Sequence, residues 1–201
     1  MLKVALTGNA AAGKSTVLEF FRRWGAPVSD ADQFAREAVA KGSPGLARVA
    51  ERFGPRFIQA DGSLDRGAMR RHVLADPKER AALEAIIHPI VAELAAGAET
   101  RIRASGAPLM VYDVPLLFEA LNPDSYDAVV LVDAPEETRR ARLESRGLSR
   151  ADADALMAAQ QPAASKRARS RFVIENGGSL QTLEARARTV WSGLQEMAGT
   201  A

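Results

Sequence analysis

The chain has 201 residues, 47% hydrophobic and 26% charged, enough for one sizeable core of ordinary globular composition. With no cysteine, disulfides, thiolate metal sites and a cysteine nucleophile are excluded, and His72 and His88 alone are too few for a histidine-built zinc site. A formal net charge of +2 offers no basic surface suited to nucleic acid, and no apolar run approaches the roughly 18 residues of a membrane span.

In chain order, the apolar run Val4-Ala5-Leu6 predicts a short buried strand. A helix is expected over 15–24, stopped by Gly25, and a second strand starts at Pro27-Val28-Ser29 and ends at Asp30-Ala31-Asp32. From Phe34 to Ser105 the pattern is helical, broken at Gly42-Ser43-Pro44, Phe53-Gly54-Pro55, Asp61-Gly62 and Asp76-Pro77, and reads as an insertion. Strands resume at Leu109-Met110-Val111-Tyr112 and Val129-Val130-Leu131-Val132, followed by Asp113 and Asp133 respectively. A last strand, Phe172-Val173-Ile174, precedes the turn Asn176-Gly177-Gly178. The final helix, with Ser179 as N-cap, carries Leu180, Leu183, Ala187, Val190, Trp191 and Leu194 at helical spacing. Such alternation predicts a parallel sheet covered by helices on both faces, with its ligand at the carboxyl ends of the strands.

Between the first strand and the first helix lies Gly8-Asn9-Ala10-Ala11-Ala12-Gly13-Lys14-Ser15-Thr16, the phosphate-binding loop pattern in its proper context. Gly8 and Gly13 let the backbone turn tightly, so that N–H groups along Ala11, Ala12 and Gly13 face phosphate oxygens while the helix contributes its positive end. Lys14 supplies a full charge to the terminal phosphates, and the hydroxyl of Ser15 is placed to reach Mg²⁺. Asp113 stands where a carboxylate assists that ion through water, although a strand-end cap reads equally well. Asp30 and Asp32 follow the second strand. Either can orient an acceptor hydroxyl, and helix capping is the competing reading, with Asp32 the preferred base. Between Arg139 and Arg171, nine basic residues face three acidic ones. This is a local positive field suited to neutralising phosphate charge, with Arg139 and Arg142 nearest the preceding strand end, and an ordinary solvated helix face is the competing reading for several of the nine.

The runs Ala5-Leu6-Thr7-Gly8, Gly13-Lys14-Ser15-Thr16, Asp30-Ala31-Asp32, Ile87-His88-Pro89, Val114-Pro115-Leu116-Leu117-Phe118-Glu119 and Val173-Ile174-Glu175-Asn176 occur in the order and spacing of the dephospho-CoA kinases. The chain resembles that family over nearly its whole length. The resemblance implies a single α/β domain over 1–201. Its P-loop kinase core is a parallel sheet covered by helices on both faces (about 1–33, 106–140 and 170–201), with a helical acceptor-binding insertion at 34–105 and a basic lid at 141–169. It also implies transfer of the ATP γ-phosphoryl group, with Mg²⁺, to the ribose 3′-hydroxyl of dephospho-CoA. Asp32 becomes the general base; His88, Pro115, Leu116 and Glu119 fall to the acceptor, and Asn176 to the adenine. Composition and charge add the expectation of a cytoplasmic protein with no membrane or nucleic-acid partner, and a monomer is expected.

Local alternatives stand beside these roles. His88-Pro89 can mark a kink in a long helix, Leu116 can be core, and Asn176 can start the turn before Gly177. The alternative functions are a P-loop kinase of another nucleotide or small hydroxyl acceptor and a non-kinase P-loop ATPase. Two departures from the family pattern are the alanines at 10–12 and Ser170-Arg171 before the last strand. The alanines can present their N–H groups provided that none must take a positive φ.

Overall fold

The computed structural model describes residues 1–199. Two compact units form: one from Met1–Ser29 together with the chain from Ile102 onward, the other from Asp30–Arg101. The sheet has five strands in the order β2-β3-β1-β4-β5, namely β1 (Leu2–Gly8), β2 (Val28–Asp30), β3 (Leu109–Asp113), β4 (Ala128–Asp133) and β5 (Phe172–Glu175). β1 runs parallel to β3 on one side and β4 on the other, with Val4 opposite Val111 and Ala128, and β5 continues parallel to β4. Placing β1 in the middle puts Gly8 and the loop after it at the carboxyl edge, between two neighbouring strands.

Side chains alternate across the strands. On one face Leu2, Val4, Leu6, Val111, Val130 and Ile174 meet α1 (Lys14–Arg23) through Val17, Leu18, Phe20 and Phe21, and α10 (Leu180–Gly199) through Leu183, Ala187, Val190, Trp191 and Leu194. Phe21 and Trp191 pack with ring centroids 5.4 Å apart. Each large side chain sealed there contributes roughly 1.5–3 kcal/mol of burial. Ser179 caps α10, its Oγ accepting from the N–H of Thr182 at 3.1 Å, but Leu180 is exposed rather than packed on the sheet. It opens the first turn, before the helix has closed on the core. Ala5 and Val129 point to the other face, where Leu117 and Phe118 of the short α6 (Leu117–Ala120) cover them.

Asp30–Arg101 is helical: α2 (Ala31–Ala38), α3 (Pro44–Phe53), α4 (Arg66–Ala75) and most of α5 (Pro77–Ala104), with a 3-10 turn at Pro55–Phe57. Ser43 and Asp65 cap α3 and α4 through the N–H groups of Leu46 and Ala68, and Pro44 takes the first helical position, which needs no N–H partner. Leu83, Ile86 and Ile87 of α5 pack on the unit's own core of Val39, Leu46, Val49, Phe53, Phe57, Leu64 and Met69. Pro89 lies inside this continuous 28-residue helix. By length and average composition alone, α5 is long and apolar enough to cross a membrane. Glu84, His88 and Glu93 interrupt any uninterrupted apolar run, yet the surrounding alanines and isoleucines keep the average high.

Three further helices follow β4: α7 (Glu136–Glu144), α8 (Arg150–Ala158) and α9 (Ala163–Ala168). Arg140 ties α7 to α8, its Nη1 donating to Glu137 at 2.5 Å and its Nε to Asp154 at 2.6 Å. Arg167 ties α9 to the sheet, its Nε donating to Asp133 at 2.7 Å and its Nη2 to Glu175 at 3.1 Å. These two carboxylates, Asp133 first, hold the guanidinium of Arg167 above its usual range.

Candidate active site

The loop after β1 is shaped at both of its glycines. A Cβ on Gly8 would sit 2.7 Å from the carbonyl oxygen of Val132, so only glycine allows β1 to lie this close to β4 at its end. Gly13 has φ 96°, and a Cβ there would collide with Nδ2 of Asn176 at 2.1 Å. Ala11 also has a positive φ, 58°, so one of the three alanines occupies a conformation that glycine takes without strain. A non-glycine residue in this region costs about 1 kcal/mol. The condition placed on the alanines fails at Ala11, and the rest of the molecule must hold it there.

That support comes from far along the chain. Nδ2 of Asn176, just past β5, donates to the carbonyl of Ala12 at 2.8 Å. Arg142 of α7 donates through Nη1 to the carbonyl of Ala11 at 3.1 Å and through Nη2 to Asn176 O and Oδ1 at 3.2 and 3.3 Å. Two loop carbonyls are thereby engaged from behind. α1 begins at Lys14 with no side-chain cap on Gly13, leaving its first N–H groups available to an anion. The ammonium of Lys14 pairs with the carboxylate of Asp113 at the end of β3, and Ser15 is exposed at the start of the helix.

Asn176 does not divide between adenine and turn as the sequence suggested: it is buried, and its side-chain amide is committed to the loop. Arg139 is 3% exposed; its Nε donates to the carbonyl of Ala134 at 3.2 Å, and its Nη1 has no hydrogen-bond partner among the described residues. It lines two cavities. One, of about 530 Å³, is bounded by Asp133, Ala134, Pro135, Arg167, Gly177 and Gly178. The other, of about 210 Å³, lies beside Asn9, Arg140, Asp154 and Gln160.

Glu119 of α6 pairs with Lys166 of α9 at 2.5 Å, and Oε1 of Glu119 also accepts the N–H of Gln161 at 3.1 Å. Burial works to raise the Glu119 carboxyl, but the Lys166 ammonium and the Gln161 N–H together hold it below the usual carboxylate range. Pro115 and Leu116 are exposed at the turn before α6. Arg171, where the family resemblance expects an aspartate, is also exposed, and the fastening of α9 to the sheet is done by Arg167.

Three sequence-predicted residues belong to the helical unit. Asp30 ends β2 and caps α2, its Oδ1 accepting from Gln33 N–H at 3.0 Å, so the capping reading holds for it. Asp32 sits exposed in the first turn of α2, past the strand end, with its side chain not used as the cap. His88 is exposed on α5.

Lys166, Gln160 and Gln161 were not singled out from the sequence. The first was one charge in a basic run, and the glutamines carried no mark except their place between two helices. Among the described residues, no group of three or more histidine or acidic side chains could hold a metal by itself.

A fold with a phosphate loop at the carboxyl edge of a parallel sheet is common to many enzymes, and comparison with known proteins narrows it. The model of the dephospho-CoA kinase family matches residues 2–182. The dephospho-CoA kinase of Anaeromyxobacter dehalogenans is 49% identical, with 93% of this chain and 89% of that protein aligned. That of Frankia casuarinae is 46% identical over 96% of this chain and 84% of its own length. Among solved structures, TT1252 from Thermus thermophilus superposes with a TM-score of 0.74 at 38% identity, covering 96% of this chain and 97% of that one. The match takes in the loop, both units and the strand end at Asn176, and on that extent the chain belongs to the dephospho-CoA kinase family.

Proposed function

We propose that the protein transfers the γ-phosphoryl group of ATP to the ribose 3′-hydroxyl of dephospho-CoA, giving coenzyme A and ADP in the cytoplasm. The observation that carries this reading, within a family of that name, is the loop whose carbonyls at Ala11 and Ala12 are engaged from behind while the N-terminus of α1 stays uncapped. Phosphoryl transfer asks a protein mainly for positioning and for neutralisation of charge on the phosphate oxygens. Lys14 supplies a full charge, the α1 terminus a partial one, and Asn176 and Arg142 hold the loop in shape to deliver them. Arg142 thus acts by holding the loop, and Arg139, with its unpartnered Nη1, is the arginine left to meet the nucleotide.

The hydroxyl of Ser15 and the carboxylate of Asp113 are oxygen donors of the kind Mg²⁺ prefers, and both lie beside Lys14 in sequence or by ion pair. An ion held by them would offset phosphate charge. The cavity bounded by Pro135, Gly177 and Gly178 takes the nucleotide base, while Asp32 orients the acceptor hydroxyl and takes its proton. Pro115, Leu116 and Glu119 around α6, with His88 on α5, serve the acceptor.

The test is ADP release with dephospho-CoA, other nucleotides, small alcohols and no acceptor. Dephospho-CoA should be turned over with the highest kcat/KM. Release independent of any acceptor would instead establish an ATPase. Asp32→Asn should keep affinity for both substrates while kcat falls by about 10²–10⁴. An unchanged kcat would move the base elsewhere.

A further inference from the structure

We propose that Gln160 and Gln161 form a strap that positions the phosphate loop relative to α6, so that filling one half of the kinase site favours the bound geometry of the other. This rests on the dephospho-CoA reading above. Oε1 of Gln160 accepts the N–H of Ala10 at 2.7 Å, across 150 residues of chain. The next residue turns the opposite way: Nε2 of Gln161 donates to the carbonyl of Phe118 at 2.6 Å, and its backbone N–H donates to Oε1 of Glu119 at 3.1 Å. One planar peptide therefore separates an attachment to the loop from two attachments to α6.

Each end of the strap is placed where it has mechanical effect. Ala10 directly precedes Ala11, the residue in the left-handed region, so the bond holds the loop where its own backbone supports it least. At the other end, Glu119 is paired with Lys166, whose side chain is fully buried, and this keeps α6 from following the loop freely. Pro162 comes next in the chain, and a residue before proline is driven toward extended backbone, which limits how far Gln161 can rotate away. The choice of side chain also fits. An amide accepts the Ala10 N–H without placing a negative charge near the phosphates, as a glutamate at 160 would.

Coupling of this kind is a ratio of affinities and is reciprocal between the two ligands. The experiment is calorimetric titration of a nonhydrolysable ATP analogue into the wild-type chain, Gln160→Met, Gln161→Met and the double variant, with and without saturating dephospho-CoA. Methionine keeps length and bulk but removes the side-chain hydrogen bond, and both positions are exposed or half-buried, so folding should survive; thermal unfolding checks that it does. In the wild type the analogue should bind at least about 5-fold tighter with dephospho-CoA present. Each single variant should bring that ratio to within about twofold of unity, and the double variant should lie no lower than either single, because a strap cut at one end is already cut. A wild-type ratio of one overturns the proposal. So do single variants that keep the wild-type ratio, including variants that lose affinity for the analogue alone, which would reduce the glutamines to loop packing. If dephospho-CoA does not bind the wild type at all, the functional reading fails and the strap falls with it. That result is distinct from tight acceptor binding with an uncoupled pair.

Discussion

Two lysine–carboxylate pairs among the described residues look alike on paper and sit in different surroundings. Lys14 and Asp113 meet at the carboxyl edge of the sheet with side chains 16% and 11% exposed, whereas Lys166 is fully buried against Glu119, itself 17% exposed. The first ammonium can exchange its carboxylate for a phosphate, because the uncapped end of α1 beside it welcomes a second anion and solvent can reach both partners. The second has no such exit. Taking an ammonium wholly out of water is tolerated only while its partner remains, so this pair fixes α6 to α9.

The largest effect should separate the pairs cleanly. Lys14→Ala removes the charge proposed to meet the terminal phosphates and should lower kcat by about 10²–10³, with the urea midpoint nearly unmoved. A variant keeping more than about a tenth of wild-type turnover would break the distinction from the functional side. Glu119→Ala is the reciprocal case. It strands the buried ammonium of Lys166 and should cost about 3 kcal/mol or more in urea unfolding. Replacing both partners together, as Glu119→Leu with Lys166→Met, should recover most of that loss, which would show that the penalty lies in the unpaired charge.

A smaller effect follows from pH. Because the Glu119 carboxyl is held below its ordinary range, its contribution to stability is fully present above the unfolded-state value near about 4.3 and is lost as pH falls through the lower folded value. Unfolding measured from pH 6 downward should therefore decline more steeply in the wild type than in Glu119→Gln. Parallel curves would count against a charged Glu119 in the folded chain. The smallest change expected is at Ala11→Gly, where relief of left-handed strain, about 1 kcal/mol, is partly offset by the greater freedom of glycine in the unfolded chain. The thermal midpoint should stay or rise by a few degrees, and a marked fall would mean that the methyl of Ala11 makes a packing contribution exceeding the strain.

What could be read in the sequence was what neighbours in sequence decide. β1, its loop and α1 are contiguous, so a strand, a glycine pair and a helix start identify themselves, as does the cap at Ser179. Asp30 showed both of its possible uses, and geometry selected the cap. Asn176 and Arg142 are another matter. Their partners at Ala12 and Ala11 lie 164 and 131 residues away, and backbone carbonyls have no identity in a sequence, so no pattern announces the contact. The basic run at 139–171 was visible as charge, but charge alone could not show that Arg140, Arg142, Lys166 and Arg167 are spent on internal partners. Leu180 misled for a related reason: helical spacing marks a face, and the face begins only where the helix meets the sheet.

The bond from Asn176 to Ala12 also bears on how the chain reaches its native state. β1 precedes the other four strands of the sheet in the chain and is the central one, flanked by β3 and β4 from beyond residue 108. Contacts of such sequence separation must meet a loop-closure cost before they reward it, which slows their formation. A nascent chain that has emerged only through α8 holds the whole glycine-lysine motif yet lacks β5 and the asparagine that shapes it. The contact that supports the loop therefore arrives with the last strand of the sheet rather than the first, and a message truncated before residue 172 would carry the motif without the asparagine bonded to it.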